Sequence, residues 1–448
     1  MYLYADRFGT PTNAKKYTLA TWFKIAKTTN NNILNYSYGN GNRGLIIQVR
    51  NGDQTLRVND FTAGVTDHYD VRTNRVFRDY GAWYHLVVAY DSTQGTAADR
   101  VKIYINGVQE TSFAASSYPS QDLDSFIATT PNNNKGFNIG AYYNSSGNID
   151  AGNYFTGNFA QYIFVDGTAY AASTFGSTDA NGVWIPNTSP SVTYGTNGFK
   201  LDFKFTGSSA AASNFGSDSS GNDNHFAVSN ISTGAKQTDT PHNSFAKLQE
   251  TNAYASPVIG KNGLEFDSNS SGGSALPSTM AVSSGKWYAE FKVTAGGTMA
   301  MGVSDIGAES FRTGSTGNNA INYVYGGQIM RNGSNVQTSL ATFTTNDIIG
   351  IALNMDTTSG NVAFTKNGVA VGSAQDFTSK PNFAGFYIQT HTSGGSQKGE
   401  FNFGQPVYTI SSNGGDGNSD ANGHGKFEYA VPSGYYALCS KNLGLYGG

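Results

Sequence analysis

The clearest pattern of apolar and polar positions lies between residues 346 and 368. It opens with a nearly continuous apolar run over 348–355, which is typical of a strand buried inside a sandwich. Val362 and Phe364 then mark one face of a second strand, which ends in an Asn-Gly pair, the preferred sequence of a two-residue hairpin turn. The same order recurs at 83–108, where WYHLVVAYDST is followed by RVKIYINGV. Two such strand pairs predict two separate antiparallel β-sandwich domains in an all-β protein.

Further alternating segments extend both predicted sandwiches. In the segment 285–293, Trp287, Ala289 and Phe291 share one face, as expected of a half-buried strand. Between the two strand series, Ser, Gly, Asn and Ala dominate, and only 199–205 reads as a strand. We therefore predict a first sandwich over 1–170, a Gly/Ser/Asn-rich connector over 171–255, a second sandwich over 256–410, and a tail over 411–448 that packs on the sandwiches.

Composition agrees with this prediction. The chain has 55 glycines in 448 residues, and its charged fraction is 13%, against roughly 25% in ordinary soluble domains. Many turn residues and few charges favour strands over helices. The net charge of -3 and the lack of a Lys/Arg cluster give no reason to expect nucleic acid or an anionic membrane as a partner.

The single cysteine, Cys439, excludes a disulfide framework within the chain, so we expect it to be a small buried apolar residue. The first residues lack the basic start and apolar run of an export signal. No stretch reaches the ~18 apolar residues that a membrane span needs. We therefore expect no membrane insertion and no secretion by that route.

Two family resemblances follow from these segments. The first domain resembles the laminin G-like and concanavalin A-like jelly rolls, in which a W-x-H-V-A strand precedes a strand ending in Asn-Gly. The second domain resembles a SPRY domain through five short motifs, although Asn354 stands where an acidic residue is usual. The matching positions are Trp83, His85, Ala89, Asp91, Tyr104, Asn106 and Gly107 in the first domain, and 285–290, 302–304, 347–353, 364–368 and 402–405 in the second.

The order of the two domains, together with the segments 174–187 and 425–443, resembles structural proteins of tailed phages. The resemblance implies a virion fibre, appendage or head decoration. It further implies a homo-oligomer, trimeric or larger, that contacts other virion proteins and host-surface polysaccharide. The expected location is then the virion surface, and the extracellular medium after host lysis.

Catalytic signatures are missing. Glucanases with a concanavalin A-like fold need two carboxylates about 5.5 Å apart, usually on one strand. Here only Glu265 and Asp267 share a strand face, without a third carboxylate. His85 lies inside an apolar strand and is expected to be structural. No H-E-x-x-H or G-x-S-x-G motif occurs. We predict that the protein is not an enzyme.

Two Asx-rich loops suggest a structural calcium ion, since calcium prefers several oxygen ligands on a tight loop that contains glycine. The better candidate has two carboxylates, but neither loop supplies the bidentate Glu that closes a full calcium loop. The alternative is a set of Asx turns satisfied by their own backbone. The candidate ligands are Asp416, Asn418, Asp420 and Asn422 in the better loop, and Asp218, Ser220, Asn222 and Asn224 in the other.

Three Asn-containing turns place tyrosines where a sugar could bind, because aromatic faces stack against pyranose rings while amides satisfy hydroxyls. The turns are 35–42, 141–148 and 322–335. With 27 tyrosines in the chain, the same residues equally fit a subunit interface. The candidate glycan-binding residues are Tyr36, Tyr38, Tyr142, Tyr143, Tyr323, Tyr325 and Arg331.

Taken together, the sequence predicts a non-enzymatic virion protein that binds host-surface glycans. Two alternatives stay open. One is a purely structural, self-assembling decoration or filament subunit. The other is a bacterial extracellular adhesin that binds carbohydrate.

Overall fold

Both predicted Asn-Gly turns are present. In the computed structural model, Asn106 and Gly107 have φ of 49° and 81°, and Asn367 and Gly368 have φ of 50° and 79°. Two consecutive positive φ values define the hairpin turn whose twist matches that of the flanking strands. The structure describes residues 1–6, 9–26, 31–38, 42–129, 136–143, 149–180, 182–230, 235–249, 253, 257–268, 273–306, 319–390 and 397–447.

The chain divides into two units, Met1–Ser232 and Thr233–Gly448. The stretch 171–255, predicted to be a connector, is thus shared between them. The strands of the first unit are β1 (Tyr2–Ala5), β2 (Lys16–Ile25), β3 (Asn32–Tyr38), β4 (Arg43–Val49), β5 (Thr55–Thr62), β6 (Thr66–Val76), β7 (Tyr84–Asp91), β8 (Val101–Ile105), β9 (Val108–Gln109), β10 (Phe113–Ser117), β11 (Phe137–Ile139), β12 (Ala141–Tyr143), β13 (Ile149–Tyr154), β14 (Gly157–Asp166), β15 (Gly176–Thr178), β16 (Trp184–Pro186), β17 (Phe199–Leu201) and β18 (Ala227–Ser229).

Two sheets form the first sandwich. Sheet A has the strand order β10-β6-β5-β4-β3-β11-β1-β18, and sheet B has the order β17-β14-β2-β7-β8-β9. Buried tyrosines join them, since the hydroxyls of Tyr17 in sheet B and Tyr69 in sheet A lie 2.7 Å apart. The predicted strand 199–205 is shorter than expected, because the chain leaves the sheet after Leu201 and Phe203 has a φ of 52°.

The second unit is a sandwich of the same class. Its elements are β19 (Val258–Gly260), β20 (Glu265–Asp267), β21 (Ala275–Pro277), β22 (Lys286–Ala295), β23 (Met299–Asp305), β24 (Ala320–Val324), β25 (Gln328–Arg331), β26 (Ser334–Gln337), β27 (Ile348–Asn354), β28 (Asn361–Lys366), β29 (Val369–Asp376), β30 (Ala384–Thr390), β31 (Lys398–Asn402), β32 (Tyr436–Ala437) and the helix α1 (Ser440–Tyr446).

Sheet C has the order β19-β20-β31-β22-β27-β28-β29, with β32 added beside β22, and sheet D has the order β21-β30-β23-β24-β25-β26. Trp287, Ala289 and Phe291 face the core between the sheets, as their alternation predicted. The described elements are almost entirely strands, which confirms the all-β prediction. No helix in the described ranges combines the length and apolarity needed to cross a membrane.

The tail packs against the outer side of sheet C. Tyr288, on the opposite face of β22 from Trp287, lies in a small apolar cluster with Phe427, Ala437 and Cys439. Cys439 is buried, as the sequence predicted. The last part of the chain is therefore an integral layer of the second unit.

Candidate functional site

Four aromatic side chains meet on the solvent-facing side of sheet A. The rings of Tyr36 and Tyr142 have centroids 4.4 Å apart, those of Tyr36 and Tyr38 5.9 Å apart, and those of Tyr36 and Phe61 6.3 Å apart. Tyr36 is only 3% exposed, whereas the other three rings are half-buried. We call Tyr36, Tyr38, Phe61 and Tyr142 the aromatic platform. Its half-buried rings offer apolar surface that a ligand can cover.

The alternation of the strands places the platform outside the sandwich. Val58 of β5 is fully buried and pairs with Ile47 of β4, which pairs in turn with Asn35 of β3. Asn35 accepts a hydrogen bond of 3.4 Å from Tyr162 of sheet B. Because successive side chains of a strand point to opposite faces, Tyr36 and Phe61 point outward. Burial raises the pKa of the Tyr36 hydroxyl, and the neighbouring tyrosines raise it further. Tyr36 therefore stays protonated and acts as the floor of the platform.

Gly140 brings Tyr142 to the platform. The sequence predicted one strand over 136–143, but the structure breaks it at Gly140, whose φ of 88° is unfavourable for residues with a side chain. β11 stays in sheet A, whereas β12 leaves it and pairs with β13. This change of direction lets Tyr142 contact Tyr36.

Gly44 lets two of the rings approach the sheet. Tyr38, Gly44 and Phe61 are direct cross-strand neighbours on β3, β4 and β5. A Cβ atom on Gly44 would lie 2.4 Å from the carbonyl oxygen of Ser37, 3.1 Å from the Tyr38 ring and 3.2 Å from the Phe61 ring. The two rings thus close over a position that has no side chain of its own.

An amide borders the platform. The Tyr38 hydroxyl donates to Oδ1 of Asn42 at 2.9 Å. Thr62 Oγ1 lies 2.9 Å from Nε2 of His68, but Thr62 follows Phe61 on β5, so its side chain points to the opposite face of the sheet. Among the described residues, the Asn42 side chain is therefore the polar group in contact with the rings.

The structure brings together only part of the predicted glycan-binding set. Tyr36, Tyr38 and Tyr142 are in the platform, whereas the side chain of Tyr143 and the loop residues 39–41 and 144–148 lie outside the described residues. Sequence reasoning missed Phe61. The signal was present, because Leu56 and Val58 mark the buried face of β5 and Phe61 falls on the other face.

One tyrosine of the third predicted sugar-binding turn lies in the core. Tyr323 is fully buried in the core, packs edge-on against Phe343, and donates its hydroxyl proton to the carbonyl of Ala341. Its ring therefore offers no face to a sugar, and this part of the prediction is corrected. Tyr325 is 39% exposed, and Arg331 donates to the carbonyl of Asp376 at 3.1 Å.

The better predicted calcium loop is held by its own hydrogen bonds. The buried carboxylate of Asp420 accepts four of them, at 2.8 to 2.9 Å, from the backbone N–H groups of Asn422, His424 and Ala437 and from the side chain of Asn442. Asn418 donates to the carbonyl of Glu428 at 2.9 Å, Asn422 donates to the side chain of Asn442 at 2.8 Å, and Asp416 is exposed.

The other loop uses the same arrangement. Asp218 accepts hydrogen bonds from the N–H groups of Lys200, Ser220 and Asn224, while Asn222 and Asn224 donate to carbonyls between residues 195 and 198. Among the described residues, no group of three or more His, Cys, Asp or Glu side chains could hold a metal. These contacts favour the Asx-turn alternative, and calcium stays a prediction.

The carboxylates considered for catalysis are paired with lysines. Glu265 lies 3.6 Å from Nζ of Lys261, and Asp267 lies 2.7 Å from Nζ of Lys398. His85 accepts a hydrogen bond of 3.0 Å from Trp184 and stacks on Trp22 with centroids 4.7 Å apart. Burial lowers the pKa of His85 to about 3. It is a neutral structural histidine, as predicted.

A buried carboxylate that sequence reasoning missed anchors the tail. Glu290 is fully buried on the outer face of β22. Its oxygens accept hydrogen bonds from the N–H groups of Glu428 and Tyr429 at 2.9 and 2.8 Å, and from the hydroxyl of Tyr408 at 2.8 Å. Asn402 adds a further bond at 3.1 Å. All these partners are donors, and the arrangement stabilises the packing of the tail on sheet C.

Comparisons with known proteins agree with the two folds. Residues 2–161 match the laminin G-like model of the concanavalin A-like lectin/glucanases superfamily, and residues 286–406 match the model of the SPRY domain. Among curated protein sequences, none matches this chain.

Two solved structures are similar to parts of the chain. The SPRY domain of human HERC1 is 19% identical, with a TM-score of 0.31, over 34% of this chain and 96% of that chain. A Bacteroides ovatus protein described as a "putative carbohydrate binding protein" is 19% identical, with a TM-score of 0.33, over 50% of this chain and 55% of that chain. From the two family matches, the first unit contains a laminin G-like domain of the concanavalin A-like type, and the second unit contains a SPRY domain.

Proposed function

We propose that this protein is a non-enzymatic glycan-binding protein whose first unit holds a sugar on the aromatic platform. One observation carries the proposal: rings from β3, β5 and β12 meet on the solvent-facing side of a sheet in a lectin-type fold. An isolated surface tyrosine needs no explanation, but four rings assembled from three separate segments do.

The chemistry of the platform suits a pyranose. The C–H face of a sugar ring is apolar and stacks on aromatic rings, while its hydroxyls need hydrogen-bonding partners at the edge. Tyr38 and Tyr142 supply half-buried rings. The side-chain amide of Asn42 supplies a polar group beside them. Packing already fixes Tyr36 and the strands that carry the rings, so binding should cost little conformational entropy.

The absence of catalysis is part of the proposal. Glu265 and Asp267, the only strand-face carboxylates that the sequence offered as a catalytic pair, are each neutralised by a lysine. Retaining glycosidases need one free carboxylate as nucleophile and a second as acid. The expected measurement is no turnover of any polysaccharide that binds.

The test compares platform variants with a variant of another exposed aromatic residue. Tyr38→Ala and Tyr142→Ala each remove a half-buried ring, whereas Phe383→Ala removes a 57% exposed ring in the second unit. Binding to a panel of bacterial surface polysaccharides and a glycan array is measured for each. We expect at least a tenfold loss for the two platform variants and none for the control. If the wild-type protein binds nothing on the panel, or the platform variants bind as well as it does, the proposal is overturned.

The setting of this activity is a further part of the proposal. The sequence resemblance to structural proteins of tailed phages supports a place on a virion surface, in an oligomer of three or more copies. The target would be host-surface polysaccharide, met after release by lysis. Light scattering of the purified chain gives its assembly state, and antibodies against it should label intact particles. A stable monomer that no particle carries would contradict this setting while leaving glycan binding intact.

A further inference from the structure

Two tyrosines in the tail of the second unit stack face to face. The rings of Tyr436 and Tyr446 have centroids 4.0 Å apart, and their planes differ by only 9°. Aromatic pairs usually have centroids about 4.5 to 7 Å apart and avoid a parallel sandwich. Within the described part of the chain, no other pair of tyrosines combines so short a distance with planes so nearly parallel; Tyr36 and Tyr142 are 4.4 Å apart but tilted by 49°.

Separate elements hold the two rings together. β32 pairs with β22, which places Tyr436 opposite Trp287. Tyr446 lies in the last turn of α1, and its carbonyl accepts a hydrogen bond of 2.9 Å from Oγ of Ser284. Both rings pack partly against the core and are half-buried. The backbone contacts therefore fix the stack, while solvent still reaches it.

The hydroxyl groups of the pair lie at the same end of the stack. They share a hydrogen bond, which lowers the pKa of Tyr446 and raises the pKa of Tyr436. Nδ2 of Asn422 lies 3.4 Å from the Tyr446 hydroxyl. Because the rings are parallel and their hydroxyls are adjacent, the ring carbons ortho to the hydroxyls also face each other.

We propose that Tyr436 and Tyr446 form an intramolecular dityrosine cross-link when the protein meets a haem peroxidase and hydrogen peroxide. Each phenol gives up one electron and its hydroxyl proton, which leaves a phenoxyl radical. A carbon–carbon bond then forms between one ortho carbon of each ring, and the hydrogen on each of these carbons moves to the oxygen of its ring. In total the pair loses two electrons and two protons, which convert one hydrogen peroxide into two water molecules.

The stacked geometry favours this bond. The unpaired density of a phenoxyl radical lies above and below the ring plane, so the new bond forms perpendicular to both rings, and parallel rings are already arranged for it. Holding the two partners in contact also replaces a bimolecular encounter by an intramolecular step. The cross-link joins β32 to the last turn of α1 and so fastens the tail to sheet C. It is independent of glycan binding, which the proposed function assigns to the first unit.

The experiment treats the full chain, at a concentration low enough that chains rarely meet, with a haem peroxidase and limiting hydrogen peroxide. We expect a monomer that is lighter by two hydrogen atoms and has dityrosine fluorescence. Trypsin cleaves after Lys441 and leaves the two tyrosines on separate peptides, 427–441 and 442–448. A covalently joined pair of these peptides identifies the bond, and fragment spectra assign it to Tyr436 and not to its neighbour Tyr435.

Three variants and one solvent condition show whether the stack is the cause. Tyr436→Phe and Tyr446→Phe keep an aromatic ring but remove a phenol, so the yield of joined peptides should fall at least tenfold in each. Tyr435→Phe, at the neighbouring position, is the matched control and should react as the wild-type protein does. In urea, the wild-type yield should fall several-fold, because the stack depends on the fold.

Several outcomes would overturn the proposal. One is a monomer that keeps its mass, whether or not dimers between chains form. Another is a joined peptide pair that persists at the wild-type yield in both Tyr436→Phe and Tyr446→Phe. Loss of the product in Tyr435→Phe, or an equal yield from the folded and the urea-unfolded chain, would equally show that the stacked pair is not the reacting one.

Discussion

The rings of Tyr36 and Tyr142 lie 4.4 Å apart, with their planes tilted by 49°, although one residue belongs to β3 and the other to a strand that has left sheet A. Tyr36 is buried, and Tyr142 covers it from the solvent side. The contact joins the buried ring of Tyr36 to the half-buried ring of Tyr142, so the position of Tyr142 depends on Tyr36.

This dependence predicts coupled effects of substitution. Tyr36→Leu should lower the free energy of unfolding by about 1 to 2 kcal/mol and weaken glycan binding, because aromatic pairs contribute about 0.5 to 1.5 kcal/mol beyond the area they bury. Tyr36→Phe keeps the ring and should change both quantities little. A double-mutant cycle with Tyr142→Ala, read by denaturant unfolding, measures the coupling. Strictly additive effects would contradict the contact.

A methyl group at Gly44 should disturb the platform from below. Gly44→Ala places a Cβ against the Ser37 carbonyl and both neighbouring rings, so we expect a loss of about 1 to 3 kcal/mol and weaker glycan binding. The matched control is Gly95→Ala, because a Cβ there meets nothing within 4 Å. Thermal unfolding of both variants checks the prediction. Equal melting temperatures of the two variants would show that the neighbouring rings move aside without loss of stability.

Glu290 predicts an unusual pH dependence. Burial raises its pKa, although backbone and side-chain donors act to lower it. The folded state therefore keeps a proton that the unfolded chain releases. The contribution of Glu290 to the free energy of unfolding is therefore fully present below the ordinary pKa of 4.5, and it is lost as the pH rises through the raised pKa of the folded protein. Glu290→Gln places an NH₂ group opposite the N–H and O–H donors that contact the carboxylate, so it should lower the free energy of unfolding by about 2 kcal/mol. It should also remove this component of the pH profile.

Glu428 is the matched control for Glu290, since it lies in the tail that Glu290 anchors. Burial acts to raise its pKa, but hydrogen bonds from Ser411 and Ser412 lower it overall. Its contribution has the opposite sign: it is present above pH 4.5 and is lost as the pH falls. Unfolding of wild type, Glu290→Gln and Glu428→Gln between pH 3 and pH 8 should give opposite trends for the two variants. Parallel trends would contradict the assignment.

His85 should stay neutral well into acid. Burial lowers its pKa from 6.5 to about 3. Between these pH values, His85 is protonated in the unfolded chain and neutral in the folded protein. Stability from this residue thus falls as the pH drops from about 6.5 towards 3. In NMR spectra, the ring proton shifts of His85 should be constant from pH 8 to 4.5, while the urea-unfolded chain titrates near 6.5. A midpoint above pH 5 in the folded protein would be inconsistent with the burial of His85 between Trp22 and Trp184.

The two Asx loops predict indifference to calcium. Since the Asp420 carboxylate is fully hydrogen-bonded within the protein, a chelator should leave the melting temperature unchanged. Asp420→Asn should cost about 2 kcal/mol with or without calcium, because an Asn NH₂ group then faces N–H donors. Asp416→Asn, at an exposed position, should be neutral. A melting temperature that rises with added calcium would instead support the calcium prediction.

Local sequence signals predicted the sandwiches well. The Asn-Gly turns and the alternation in β22 depend on residues close together in the chain, so they are visible without the structure. The break at Gly140 is different. A glycine in an alternating segment predicts neither a change of sheet nor its direction, since both depend on β13 and on packing against β3.

The candidate site was predicted only in part for the same reason. Tyr36 and Tyr142 belong together because of the register of distant strands, which composition cannot supply. Tyr323 was misjudged although its alternation with Ile321, another fully buried residue, placed it on the core face. Phe61 was overlooked because it lies within a strand and not in an Asn-rich turn.

The added strands and the tail set the limits of a useful fragment. A piece cut at 286–406 would lose β19, β20, β21, β32 and α1, and would leave Glu290 without its Glu428 and Tyr429 donors. A piece cut at 2–161 would end inside β14 and lose β17 and β18, which pair with β14 and β1. Fragments for separate expression should therefore follow the two folded units, 1–232 and 233–448. Fragments trimmed to the family matches should aggregate through newly exposed apolar faces.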